Sequence, residues 1–187
     1  MLDNIKDKIK SKKLILFGEI HGTKEIPESL CRFFSEIARE EDFNLCIEIP
    51  EEFQNIELDK LLSLSKETNT NGLISKEYVK LIKEMPKNIK IFFIAPDLIK
   101  NQEEMEKSIA LNILKLVNDK KIFVILGDIH ASKKEIKFFG DKIIPAGLLI
   151  FNKLKEKMIN VRIKIKNNNL SKEEKLFNKG FDHIIEL

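Results

Sequence analysis

Short apolar runs alternate along the chain with segments in which apolar residues recur every three or four positions. The runs predict strands buried on both faces, and the periodic segments predict amphipathic helices. In the first two thirds of the chain the runs occupy 14–17, 45–49, 91–94 and 122–126. We therefore expect an α/β fold, a single domain with a mainly parallel central sheet flanked by helices.

The rest of the chain is less regular. Segment 51–88 is more polar and has one helical face; we interpret it as a small helical insertion after the second strand, a candidate lid that adds little to the sheet core. Positions 161–165 alternate between apolar and basic residues, which predicts a half-exposed strand. A capping-box pattern at 171–174 predicts a short helix, and 182–185 resembles a final strand. Nothing resembles a linker, so 1–187 forms one predicted domain.

Candidate functional residues follow the predicted strands at the point where each strand ends. The first strand runs into 18–21 (Gly-Glu-Ile-His), and the fourth runs into 127–130 (Gly-Asp-Ile-His), so the two strand ends nearly copy each other. Glu48 lies near the end of the second strand, and Asp97 follows the third. Because the carboxyl ends of parallel strands meet at one edge of a sheet, we expect these residues to share a crevice.

Two imidazoles and several carboxylates suit two kinds of chemistry. If the strand order is 3-2-1-4, His21 and His130 face each other across the crevice. Together with Glu48 they suit a first-row divalent metal (Mn, Co, Zn or Fe), and they suit general acid–base catalysis equally well. His21 is then the general base or a metal ligand, His130 its partner, and Glu48 a ligand or an orienting group. Glu19 and Asp128 orient imidazoles or accept protons; alternatively, either histidine is a loop residue.

The composition narrows the classes of partner. The chain has 33 basic and 30 acidic residues, three arginines, one tyrosine and no tryptophan, which disfavours nucleic-acid binding. No apolar run approaches the roughly eighteen residues of a membrane span, and residues 1–13 lack the apolar region of a signal peptide. Cys31 and Cys46 have no metal or disulfide spacing. We expect a cytoplasmic protein with a small-molecule or peptide substrate and neither a nucleic-acid nor a membrane partner.

Known motifs exclude some enzymes and suggest others. The sequence contains no Gly-x-Gly-x-x-Gly, Walker A, His-Glu-x-x-His or Gly-x-Ser-x-Gly pattern. Instead, Gly-Glu-Ile-His-Gly-Thr at 18–23, Ile-Glu-Ile-Pro at 47–50 and Gly-Asp-Ile-His-Ala at 127–131 form an ordered set. This set resembles the superfamily that joins erythromycin esterase-like proteins, ChaN-like haem-binding proteins and the TraB/PrgY/Tiki group. The similarity extends to 94–97 and to the closing segment 181–185.

The resemblance implies a mixed α/β domain with its pocket at the two Gly-x-x-His motifs. Esterase-like members hydrolyse a macrolide ester with histidine and glutamate, the Tiki group resembles a metalloprotease, and ChaN-like members bind haem. His21, Glu19, Glu48 and His130 are the matching positions. We expect a hydrolase acting on an ester or amide, with a non-catalytic haem-binding or metal-ligand-binding protein as the alternative. Tyr78, the single tyrosine, lies on a predicted helix rather than at a strand end, which argues against haem held by tyrosine.

Overall fold

The computed structural model describes 2–67, 74–96, 101–118, 120–138, 141–166 and 177–187. Asp97 and the helix predicted from the capping box at 171–174 lie outside these residues. Within the described part of the chain, no helix combines the length and the hydropathy that crossing a bilayer requires.

The described strands fall into one large sheet and one small ribbon. In chain order they are β1 (Leu14–Glu19), β2 (Phe43–Pro50), β3 (Lys90–Ala95), β4 (Lys121–Gly127), β5 (Ile136–Phe138), β6 (Asp141–Ile143), β7 (Met158–Lys164) and β8 (His183–Glu186). Strands β5 and β6 pair as an antiparallel ribbon, and the other six form a parallel sheet. The predicted α/β fold with a mainly parallel sheet is confirmed.

Helices connect the strands and cover both faces of the sheet. They are α1 (Lys6–Ile9), α2 (Glu25–Ile37), α3 (Leu58–Glu67), α4 (Lys76–Glu84), α5 (Gln102–Leu116), α6 (Asp128–Ala131) and α7 (Ala146–Leu154). Short 3-10 turns occupy Leu2–Ile5, Glu51–Phe53 and Lys155–Lys157. Alternate residues of β1 join opposite cores: Ile15 and Phe17 pack on one face, and Leu14 and Leu16 on the other. This double burial explains why the strand reads as an uninterrupted apolar run.

The strand order is β3-β2-β4-β1-β7-β8. The expectation that the first and fourth strands are neighbours is confirmed, but the order 3-2-1-4 is wrong, because β4 inserts between β2 and β1. Strand β4 is buried along its whole length and therefore takes the centre of the sheet. Its final residue, Gly127, lies opposite Glu19 of β1. The inserted strand thus places the fourth strand end between the ends of the first and the second.

The expectation that 161–165 forms a half-exposed strand is wrong. Every residue of β7 is buried, because β1 and β8 flank the strand. Its two basic side chains have carboxylate partners. Arg162 pairs with Asp128 at 2.6 Å, and Lys164 pairs with Glu186 at 2.8 Å. Buried basic residues are tolerated when they are paired in this way. Alternation of apolar and basic residues therefore does not indicate that one face of β7 is exposed to solvent.

The expectation that segment 51–88 adds little to the core is also wrong. Leu61 of α3 and Tyr78 and Leu81 of α4 are buried in the same apolar cluster as Phe17 of β1. The apolar face of α4 packs against α2, and α3 packs against α4. The insertion is therefore part of the folded core, and its role as a lid stays a prediction.

Replacing Leu61 with Ala tests this packing. Leu61 has no exposed surface, so Leu61→Ala should lower the free energy of unfolding by about 2–5 kcal/mol through lost burial and a residual cavity. Leu111→Ala is the matched control, because that side chain is 55% exposed on α5. Urea denaturation measures both variants. Equal stabilities would show that α3 is a detachable cover.

Candidate functional site

The carboxyl ends of β1, β2 and β4 bring His21, Glu48 and His130 together. His21 Nε2 lies 3.5 Å from Glu48 Oε2, and His130 Nε2 lies 3.3 Å from Glu48 Oε1. Glu48 is 3% exposed, whereas the imidazole side chains are 22% and 13% exposed. The carboxylate is therefore the most deeply buried of the three groups and forms the floor of the site. The two imidazoles lie closer to solvent.

A second carboxylate lies behind each imidazole. His21 Nδ1 is 2.6 Å from Glu19 Oε1, off the direction of a straight hydrogen bond. His130 Nδ1 is 2.8 Å from Glu106 Oε1, at hydrogen-bond distance. Glu19 and Glu106 are each 1% exposed. Both nitrogens of each ring therefore face a carboxylate, an arrangement that favours the protonated ring.

The charges of these groups support one another. Burial by itself lowers the pKa of His21, but Glu19 and Glu48 together raise it to about 10. Burial also opposes the charge on His130, yet Glu48 and Glu106 raise its pKa above the ordinary value. Burial would raise the pKa of Glu48, but the two imidazoles and a backbone N–H lower it. The surrounding carboxylates therefore favour the protonated form of both imidazoles, and the imidazoles in turn favour the ionised form of Glu48.

Gly127 allows this close approach. Its backbone N–H donates to Glu48 Oε2 at 2.6 Å. A Cβ at this position would lie 2.7 Å from His21 Nε2, well inside normal contact distance. Any larger residue would therefore push the imidazole away from Glu48, which explains a glycine at the end of β4.

Asp128 has a different partner from the one expected. It pairs with the buried Arg162, whose Nε donates to Asp128 Oδ2 at 2.7 Å. Arg162 also donates to Asn178 and lies 4.9 Å from the centre of the Phe177 ring. Burial raises the pKa of Asp128 although Arg162 opposes this. The pair links the end of β4 to β7, so Asp128 supports the site from behind rather than holding an imidazole.

Glu106 was not identified by the sequence reasoning. This residue of α5 accepts hydrogen bonds from Gln102 Nε2 and from the backbone N–H of Ala146, each at 2.7 Å, besides its contact with His130. Helical spacing carried a signal, because Glu106 shares one face of α5 with the buried residues at 109, 110 and 113. An acid on the buried face of an amphipathic helix requires partners, and here they are a ring nitrogen and two N–H donors.

Tyr78 joins the insertion to the floor of the site. The side chain is 2% exposed on α4. Burial raises the pKa of its hydroxyl well above the ordinary value, and the charges of Glu19 and Glu48 raise it further. The hydroxyl therefore stays protonated beside the acidic floor.

The expected metal site has a suitable donor set but not a ready arrangement. His21, Glu48 and His130 supply two nitrogens and a carboxylate, which suit a first-row divalent cation. Among the described residues, however, no group of three or more His, Cys, Asp or Glu side chains is arranged to hold a metal ion. Both imidazoles also carry raised pKa values, so a cation would have to displace their protons. The metal therefore stays a prediction.

The comparisons with known proteins concern the fold. No family model matches the sequence, and no curated protein matches it significantly. A structure of ChaN from Campylobacter jejuni with cofacial haem is 16% identical over 91% of this chain and 88% of that one, with a TM-score of 0.52. An erythromycin esterase mutant, EreC, in its open conformation is 9% identical over 88% of this chain and 72% of that one, with a TM-score of 0.63.

A structure described as bacterial protein toxins is also similar. It is 12% identical over 87% of this chain, with a TM-score of 0.57, but the match spans only 35% of the toxin chain. At these identities the likeness establishes the fold. The chain shares an α/β architecture with ChaN and with the erythromycin esterase.

The Glu106–His130 contact predicts a measurable shift. Glu106→Gln removes a negative charge from His130 Nδ1, so the pKa of His130 should fall toward its ordinary value. Glu103→Gln on the same helix is the control, because its side chain is 72% exposed. Titration of the histidine Cε1 protons by NMR measures both variants. An unchanged His130 pKa in Glu106→Gln would show that this contact does not form in solution.

Proposed function

We propose that the chain is a hydrolase that cleaves an ester or amide of a small molecule or peptide, with Glu48, His21 and His130 as its catalytic groups. The observation that carries the proposal is the convergence of two imidazole Nε2 atoms on the two oxygens of one buried carboxylate. Charged groups gathered at the carboxyl edge of a parallel sheet are typical of an active site. The erythromycin esterase fold among the structural neighbours adds support.

The two imidazolium rings act as hydrogen-bond donors in this scheme. A substrate carbonyl that replaces Glu48 as the partner of the two rings accepts N–H bonds from His21 Nε2 and His130 Nε2. These donors stabilise the negative charge that develops on the carbonyl oxygen as water attacks. The raised pKa values give His21 a different role from the general base expected, since a ring protonated at neutral pH donates rather than accepts.

Glu48 is the general base. In the free protein the imidazolium rings and the Gly127 N–H lower its pKa. When a carbonyl takes the two Nε2–H groups, Glu48 loses these partners and its basicity rises. The carboxylate can then accept a proton from the attacking water and pass it to the leaving group. Glu19 and Glu106 hold the rings protonated and oriented throughout.

The pH dependence of ester hydrolysis tests these roles. With p-nitrophenyl acetate as substrate, kcat/KM should rise at acidic pH as Glu48 ionises, stay level near neutrality, and fall near pH 10 as His21 loses its proton. Glu48→Gln should lower kcat/KM roughly 10²–10⁴-fold. Glu51→Gln is the control, because that neighbouring residue is exposed. A rate that keeps rising through pH 10 would assign the base role to His21 instead.

Cofactor content separates this proposal from the binding alternative. Tyr78 is 2% exposed, so haem iron could reach it only after the core opened. We expect no Soret shift on titration with haem, and activity that survives dialysis against a chelator. Elemental analysis of protein purified without chelators completes the test. Stoichiometric Mn, Co, Zn or Fe whose removal abolishes activity would replace the imidazolium scheme with a metal-dependent one.

A further inference from the structure

A cleft lies beside the first half of β7, away from the paired histidines. Strand β8 begins opposite Val161, so residues 158–160 of β7 have β1 on one side and no strand of the described chain on the other. The cleft beside these residues has a volume of about 580 Å³. Such a volume lies within the range of small-molecule sites. None of the residues that line it belongs to the proposed catalytic group.

Positive charge converges on this cleft. Four lysines line it, against only two carboxylates, those of Asp182 and Glu156. Lys133 is paired with both oxygens of Asp182 at 2.5 Å. Lys8, Lys12 and Lys155 have no ion pair with any residue that the structure describes; Lys12 donates to a backbone carbonyl and Lys8 to a histidine nitrogen. The lining therefore carries an excess of two positive charges.

The lysine-rich composition alone does not account for this arrangement. Elsewhere in the described chain, many lysines pair singly with an acid, either one helical turn away, as in Lys80–Glu84 and Lys107–Glu103, or on another element, as in Lys6–Glu36 and Lys120–Asp42. At the cleft, lysines from distant parts of the chain meet instead. Like charges repel, so this convergence costs free energy in the absence of an anion.

The rings of Phe151 and His183 are part of the lining of the cleft. Lys133 Nζ lies 4.5 Å from the centre of the Phe151 ring and Lys155 Nζ lies 6.0 Å from it, so the aromatic face positions two of the ammonium groups. Lys8 Nζ lies 3.2 Å from His183 Nδ1. Burial and the charge of Lys8 lower the pKa of His183, which favours the neutral ring.

We infer that this cleft binds the phosphate monoester group of a small molecule. Lysine ammonium groups bind phosphate as point charges, and a phosphate dianion balances the two excess charges. The volume of about 580 Å³ leaves room for the organic part of a small ligand. The inference is independent of the proposed hydrolase chemistry, because it uses none of the same residues.

Glycerol 3-phosphate is the soluble probe, followed by NMR titration of the full chain. We expect saturable shifts at the amides of Phe151 and His183, weakened by added salt. The double variant Lys8→Gln/Lys155→Gln should raise the dissociation constant roughly tenfold, since two charges near the phosphate are lost. The control is Lys10→Gln/Lys153→Gln, which removes the same charge from the same two helical regions outside the cleft and should change it less than about twofold.

Vesicles identify the source of the phosphate. Phosphatidic acid carries the same monoester group on a lipid, so co-sedimentation with phosphatidylcholine vesicles that contain it is the second arm. Glycerol 3-phosphate binding without co-sedimentation supports a soluble ligand. Vesicle binding without binding of the soluble probe overturns it in favour of a membrane surface. Absence of saturable shifts, or equal weakening in the two double variants, overturns the site itself.

Discussion

The buried carboxylate of Glu48 is the constraint on which the rest of the site depends. A carboxylate that is 3% exposed is costly unless charged or polar groups surround it. Here a backbone N–H from Gly127 and the Nε2 atoms of His21 and His130 supply that compensation. Each imidazole in turn contacts a second buried carboxylate, Glu19 for His21 and Glu106 for His130. The five side chains therefore form one connected network.

The sheet topology makes this network possible. Because β4 lies between β2 and β1, its final glycine is adjacent to both Glu48 and His21. A side chain at 127 would occupy the space of the imidazole. Several buried charges in one place contribute little net stability, since their desolvation offsets much of their attraction. These charges lie at the carboxyl ends of β1, β2 and β4, the edge at which the proposed hydrolase chemistry would take place.

Patterns along the sequence predicted the structure correctly where burial depends on neighbouring residues of the same segment. The apolar runs predicted the first four strands because β1, β2 and β4 are buried along nearly their whole length and β3 along its second half. The glycine–acid–isoleucine–histidine repeats marked the ends of β1 and β4. Alternation misled at β7, where Arg162 and Lys164 are buried in ion pairs with residues distant in sequence. Glu106 was overlooked for a related reason: its partner His130 lies on another element, and nothing near it in the chain indicates that contact.

The sequence by itself determined the α/β class and the strand ends that hold the candidate residues Glu19, His21, Glu48 and His130, because these follow from periodicity and from residue order. Only the tertiary structure decided the strand order, the pairing of Asp128 with Arg162 instead of with an imidazole, and the cleft beside β7. It also decided the directions in which the pKa values of the histidines are shifted. A pKa depends on burial and on charges a few ångströms away, and those distances exist only after distant segments have packed together.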